Sequence, residues 1–127
     1  MKPLFLNPPT YENFDGGAGA RYQASREVTS FWYPTWLCYP AGMIAGSKVV
    51  DAPVQQLDLA ACLAIAKNYD MVVIYTSTAT LSLDIATAKA MKAEQPGIVT
   101  ALVGPHVSVL PEESLRQTEG VVDIICR

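Results

Sequence analysis

At 127 residues the chain has the length of one domain, a size that buries about 68% of its unfolded surface. Half of the residues are hydrophobic and 17% are charged, so there is enough apolar material for a core. A net charge of −3 gives no basic footprint for nucleic acid or for an anionic membrane. No apolar run approaches the ~20 residues of a membrane span, and the opening MKPLFLNPP is too short for a signal peptide. A cytoplasmic protein is expected.

Residues 3–6, PLFL, form a short apolar run ended by Asn7-Pro8-Pro9 and predict a first strand. About 25 residues rich in Gly, Tyr and charge follow without a clean period and predict a long loop. From Tyr33, the segment YPTWLCYPAGMIAG predicts a short helix carrying Trp36, Leu37, Met43 and Ile44. Pro40 must sit in its first turn or kink it, and Gly46 closes it. Residues 48–51, KVVD, predict a second strand stopped at Ala52-Pro53.

Asp58 is placed to cap a helix with Leu59, Cys62, Leu63 and Ala66 on one face, and Asn68 to stop it in the left-handed region. Residues 71–75, MVVIY, are apolar on both faces, as a central parallel strand requires. A second amphipathic helix is expected over about 80–94, burying Leu81, Ile85, Ala88 and Met91 and turning Lys89 and Lys92 to solvent. Pro96-Gly97 breaks it. Residues 98–103, IVTALV, predict a fourth strand, after which Gly104-Pro105-His106 turns the chain. Pro111-Glu112-Glu113 opens a short helix with an acidic first turn that suits the helix dipole. Residues 121–126, VVDIIC, predict a fifth strand.

Strands alternating with helices predict a single α/β domain over residues 1–127, a Rossmann-like or flavodoxin-like three-layer fold. Its five-stranded parallel sheet is expected in the order 2-1-3-4-5, lacking its last covering helix. An apolar final strand without a helix is an aggregation-prone edge. The chain is therefore expected to be part of a longer protein, or to carry a partner on that edge. The three cysteines, Cys38, Cys62 and Cys126, are odd in number and far apart. They are expected to be small buried apolar side chains rather than disulfides or metal ligands.

In open α/β sheets ligands bind beyond the carboxyl ends of the strands, where strand order reverses. The loops expected there are Asn7-Pro8-Pro9-Thr10, Thr76-Ser77-Thr78-Ala79-Thr80 and Gly104-Pro105-His106-Val107. They offer hydroxyls, N–H groups at a helix start and a glycine that permits close approach. Helix capping alone accounts equally well for 76-TSTAT-80. His106, the only histidine, reads most simply as a loop hydrogen-bonder, and Asp51 as a turn or cap residue. No catalytic constellation and no metal cluster can be assembled. The residues by themselves describe a cofactor- or ligand-binding module, with a flavin or nucleotide also admissible on this topology.

The stretch 15-DGGAGARYQASRE-27 resembles a dinucleotide loop only superficially. The third glycine of G-x-G-x-x-G would fall at Tyr22, the loop does not follow its strand directly, and Asp51 lies too far on to meet a ribose. It reads as a bendable lid or docking segment in which Arg21 and Arg26 meet a cofactor, a substrate or another domain.

Three segments together resemble the N-terminal cobalamin-binding domain of B12-binding radical S-adenosylmethionine proteins: 3-PLFLNPP-9, 33-YPTWLCYPAGMIAGSKVVDAP-53 and 102-LVGPHVSVLPEESL-115. The passage 13–36 is most similar to the hopanoid-biosynthesis branch, which acts on the sugar-derived side chain of bacterial hopanoid lipids. The anaerobic magnesium-protoporphyrin ester cyclases are more distant. The resemblance implies cobalamin across the carboxyl ends of the strands, its nucleotide tail descending near strands 3 and 4. The contacts it implies are hydrogen bonds and close approaches from Asn7 and Pro8, from Thr76, Ser77 and Thr78, and from Gly104, Pro105, His106 and Val107.

The chain departs from that pattern in three ways. No histidine follows the first strand, where D-x-H-x-x-G would supply a lower cobalt ligand; Val103 replaces a glycine; and no C-x-x-x-C-x-x-C is present. The resemblance therefore implies that S-adenosylmethionine, the [4Fe–4S] cluster and the catalytic barrel would belong to a full-length protein of which this is expected to be a non-catalytic part. A lipid substrate is a further expected partner. The missing histidine and the aromatic 31-FWYPTW-36 also motivate a second expectation, a degenerate module that docks the barrel or recognises substrate without a cofactor.

Overall fold

The computed structural model describes residues 1–9 and 34–127. The long loop, with Arg21 and Arg26, lies outside the described residues. Five strands form one parallel sheet in the order β2-β1-β3-β4-β5, as the alternation predicts. They are β1 (Pro3–Asn7), β2 (Lys48–Asp51), β3 (Met71–Tyr75), β4 (Val99–Val103) and β5 (Ile124–Cys126). The helices are α1 (Thr35–Met43), α2 (Ala52–Gln55), α3 (Leu59–Ala66), α4 (Leu81–Glu94), α5 (Pro105–Val109) and α6 (Pro111–Gln117).

Alternation along β1 divides the core. Leu4 and Leu6 point to one face, with Val50, Val72, Ile74 and Leu102, and meet Cys62, Ala66, Leu81, Ala88, Met91 and Val107 from the helices. Phe5 points to the other face, where Val73, Ala101 and the α1 residues Leu37 and Ala41 surround it. Successive side chains of a strand leave on opposite faces, so a single strand supplies both clusters. Burying each Leu or Ile contributes about 1.5–3 kcal/mol, and β1 and β3 are lined on both faces. They are the mechanical centre of the sheet.

Several local expectations are corrected. In α1 the buried pair is Leu37 and Ala41, four apart, while Trp36, Tyr39 and Met43 are exposed and Pro40 sits inside the helix beyond its first turn. Cys38 is exposed, so only Cys62 is fully buried among the three thiols. Burial, reinforced by the charge of Asp58, pushes the Cys62 thiol up to about 11. Asp58 does cap α3, its carboxylate accepting from the Ala61 N–H at 2.8 Å. Asn68 is not left-handed: positive φ outside glycine occurs at Gln56 and Glu119, and Gln56 ends α2, a helix that no period foretold.

The fifth strand is shorter than its apolar run. Asp123 turns its carboxylate onto the Thr100 N–H at 2.7 Å and the Thr100 hydroxyl at 3.0 Å, occupying β4 with a side chain where a ladder carbonyl would stand. The Thr100 hydroxyl also lies 2.7 Å from the Val121 carbonyl, so its one hydrogen is shared between that oxygen and the Asp123 carboxylate. Lys92 reaches the same carboxylate at 2.8 Å, so this lysine is tied to the residue that precedes β5 and not simply turned to solvent.

Partial burial works to raise the Asp123 pKa, but hydrogen bonds from Lys92 and Thr100 and the lysine charge outweigh it and hold the carboxyl below its ordinary 3.8. A group with a lowered folded pKa stabilises the fold above its unfolded value and loses that contribution as pH falls through the folded one. The carboxylate is 39% exposed, so screening keeps the ion pair itself below about 1 kcal/mol and the Thr100 hydrogen bonds dominate. Replacing Asp123 with Asn is expected to lower stability by about 1–2 kcal/mol near neutrality. The difference from wild type, followed by urea unfolding across pH, should shrink below about pH 3.8.

Candidate functional site

The crevice follows from the topology. The chain leaves β1 toward α1 on one face and leaves β3 toward α4 on the other, so the two exits diverge beyond the carboxyl edge. Adjacent strands bring the edge residues side by side, and Asn7 stands in register with Asp51. The Asn7 side-chain amide donates through Nδ2 to the Asp51 carboxylate at 2.7 Å. Asp51 is thus the partner of Asn7, not simply a turn residue, and its side chain makes no cap bond to α2. A sequence signal existed: both strands are apolar runs that end on a polar residue. Their register, which makes them partners, is visible only in the sheet.

At β3 the chain forms a polar turn. Thr80 precedes α4 as its N-cap residue, and its hydroxyl donates to the buried Asp84 carboxylate at 2.7 Å while its oxygen accepts from the Ser77 N–H at 3.1 Å. The Ser77 hydroxyl lies 3.0 Å from the same Thr80 oxygen. Ser77 therefore shapes the start of α4, whereas Thr78, one residue on, is exposed on the rim. Asp84 was not singled out by its sequence, since an acidic residue in a first helical turn is ordinarily a solvent-facing partner of the dipole.

At β4, Gly104 adopts φ 144°, and a Cβ at that position would collide with the Thr76 carbonyl oxygen. The Thr76 N–H donates to the Val103 carbonyl at 2.8 Å, carrying the β3–β4 pairing one step beyond the strands. The glycine's close approach is thus made to the neighbouring strand. From this point α5 begins, with Pro105 in its first turn. His106 Nδ1 lies 3.0 Å from the Thr78 hydroxyl, joining the exits of β3 and β4. Val107 is fully buried and its side chain belongs to the core.

The expected residues therefore fall into pairs: Asn7 with Asp51, Thr76 with Gly104, and Thr78 with His106. Pro8 follows Asn7 and is buried, and Pro105 is exposed on α5. Two polar atoms on this edge, Asn7 Oδ1 and His106 Nε2, are buried with no hydrogen-bond partner among the described residues. Buried polar atoms are normally satisfied, and these two stand at the carboxyl edge, where open α/β sheets bind ligands; a third, Gln95 Oε1, lies ahead of β4, away from that edge. No group of three His, Cys, Asp or Glu side chains placed to hold a metal ion is found among the described residues.

A family model described as the B12 binding domain matches residues 24–127. The chain belongs to that family. Neither the curated proteins nor the solved structures gave a match. The matched stretch begins after β1, yet the sheet places β1 between β2 and β3, completing the B12-binding fold at its centre. None of the described helices is long and apolar enough to cross a membrane.

The contact between Gly104 and Thr76 generates a direct test. Gly104→Ala must displace backbone as well as occupy a strained φ, at a cost of at least about 3 kcal/mol. Urea unfolding should show that loss, whereas Gly97→Ala, with nothing within 4 Å of the added carbon, should change stability by less than about 1 kcal/mol.

Proposed function

We propose that this domain holds cobalamin along the carboxyl edge of its sheet and presents it to the catalytic barrel of a larger radical S-adenosylmethionine enzyme. The observation that carries the cofactor half is the pair of orphaned polar atoms, Asn7 Oδ1 and His106 Nε2, on the binding edge of a B12-domain fold. They fit a corrinoid held at its periphery by hydrogen bonds. They fit no cobalt ligand after β1, where Pro8 and Pro9 stand and no histidine follows.

In this reading Asn7, Thr78 and His106 supply polar contacts, while Pro8, Thr76, Ser77, Gly104, Pro105 and Val107 shape the exits that carry them. The bound corrinoid would supply a redox-active cobalt able to carry an alkyl group. In this reading the domain's own residues bind and orient. The radical enzyme context rests on the likeness of residues 33–53 and 102–115 to that branch, and the hopanoid side chain as substrate on residues 13–36. The cluster, S-adenosylmethionine and a cytoplasmic setting belong to the same proposal.

A second reading is favoured by one observation. Trp36 is 61% exposed, Tyr39 77% and Met43 87%, which gives α1 an outward apolar stripe. In that reading the module docks the barrel or recognises the lipid and binds no cofactor.

Hydroxocobalamin separates the two. After mixing with the domain and removal of free ligand, a retained corrin absorption spectrum is expected, with a dissociation constant of tens of micromolar or tighter. His106→Ala should weaken it by about tenfold, the effect of deleting one buried hydrogen bond. No retention at tens of micromolar would leave only the docking reading.

A further inference from the structure

The β1 side of the crevice has a definite hydrogen-bonding polarity. An amide side chain can be turned by 180° without changing its shape, so its orientation is decided by its partners. Asp51 decides it here. A carboxylate accepts hydrogen bonds and does not donate them, so at 2.7 Å only the NH2 end of Asn7 can face Asp51. The opposite orientation would set two oxygens against each other. Asn7 Oδ1 is thereby fixed as the end turned away from Asp51, and it is a buried atom without a partner among the described residues.

The neighbouring backbone has the same character. Pro8 and Pro9 follow directly and have no N–H, so they add carbonyl oxygens and no donors. Among the described residues, the acceptor that the exit of β1 offers is Asn7 Oδ1, with the Asp51 carboxylate behind it. That oxygen disfavours a carboxylate and requires N–H or O–H from its ligand.

We propose that Asp51, acting through Asn7, makes this half of the site selective for a neutral primary carboxamide on the corrin periphery against the corresponding carboxylic acid. The inference rests on the cobalamin reading and adds a specificity to it. Asn7 Oδ1 is the contact, taking a hydrogen bond from the amide N–H of the ligand. Asp51 is a positioning residue that never needs to touch the ligand. A corrinoid bearing a carboxylate at that corner would set an anionic oxygen against a buried acceptor with Asp51 behind it, and would lose the hydrogen bond as well.

The experiment is equilibrium dialysis of the chain near pH 7 with hydroxocobalamin and, separately, with each of its monocarboxylic acid derivatives, reading bound corrinoid by visible absorption. The expected result is that one derivative binds at least about tenfold more weakly than hydroxocobalamin, the effect of one unsatisfied buried acceptor. In Asp51→Asn the second amide can donate or accept, so Asn7 is free to turn. The discrimination should then fall below about threefold while hydroxocobalamin is still retained. Far-UV circular dichroism and a urea midpoint confirm that this variant folds, and Asn7→Asp, which places a second carboxylate there, should abolish retention of that same derivative.

Equal binding of hydroxocobalamin and every monoacid by the wild type would overturn the selectivity and leave the cobalamin reading standing. Unchanged discrimination in folded Asp51→Asn would overturn the role of Asp51. No retention of hydroxocobalamin by the wild type would overturn the reading and this inference with it.

Discussion

The edge on which every functional statement rests is set by one steric fact, the missing side chain of Gly104. Its backbone lies against the Thr76 carbonyl where no Cβ fits, and the Thr76 N–H closes the contact by donating to Val103. This joins β3 to β4 one step past their last strand pair and fixes the direction in which α5 departs. Only with α5 so aimed can His106 meet Thr78 across the two exits. A hydrogen bond between exposed side chains contributes little by itself, about 1 kcal/mol. The geometry it reports is held by backbone, and therefore does not depend on that bond.

The fold was legible because parallel strands buried on both faces leave continuous apolar runs, and MVVIY and VTALV are runs of that kind. The errors cluster where side chains took over work that main chain ordinarily does. Asp123 replaces a ladder acceptor, so an apolar stretch of six became a strand of three. Lys92 follows a helical period that points it away from the core, yet its long stem lets the ammonium reach Asp123. The loops after the first, third and fourth strands could be named as the candidate edge from topology alone. The pairs within them could not, because Asn7 meets Asp51 through register, and register is a property of the sheet.

The two faces of the sheet are covered unequally, and the crevice follows from that inequality. Helices α3 and α4 and the Val107 side of α5 pack over Leu4, Leu6, Val72 and Ile74, while Leu37 and Ala41 of α1 meet Phe5 and Val73 on the other face. The helix that follows β1 packs on the second face and the helix that follows β3 on the first, so the order of the elements reverses at the edge between them. Its polar groups are then fixed before any ligand arrives. Preorganisation of this kind lowers the ordering cost of binding and favours recognition by fixed contacts over induced fit. The carboxylates of Asp51 and Asp84 are already engaged, with Asn7 and Thr80.

The two halves of that edge differ in chemical sense. Where β1 ends, Pro8 and Pro9 lack an N–H and the outer oxygen of Asn7 is an acceptor. Where β3 and β4 end, Thr78 and His106 carry hydrogens that can be offered outward, and the imidazole can reverse donor and acceptor by changing tautomer. A ligand whose rim alternates carbonyl and N–H groups can satisfy both halves in one orientation, and turning it over would confront acceptors with acceptors at β1. An edge of uniform character would fix only the ligand's position. The division between the halves would also fix which way the ligand faces.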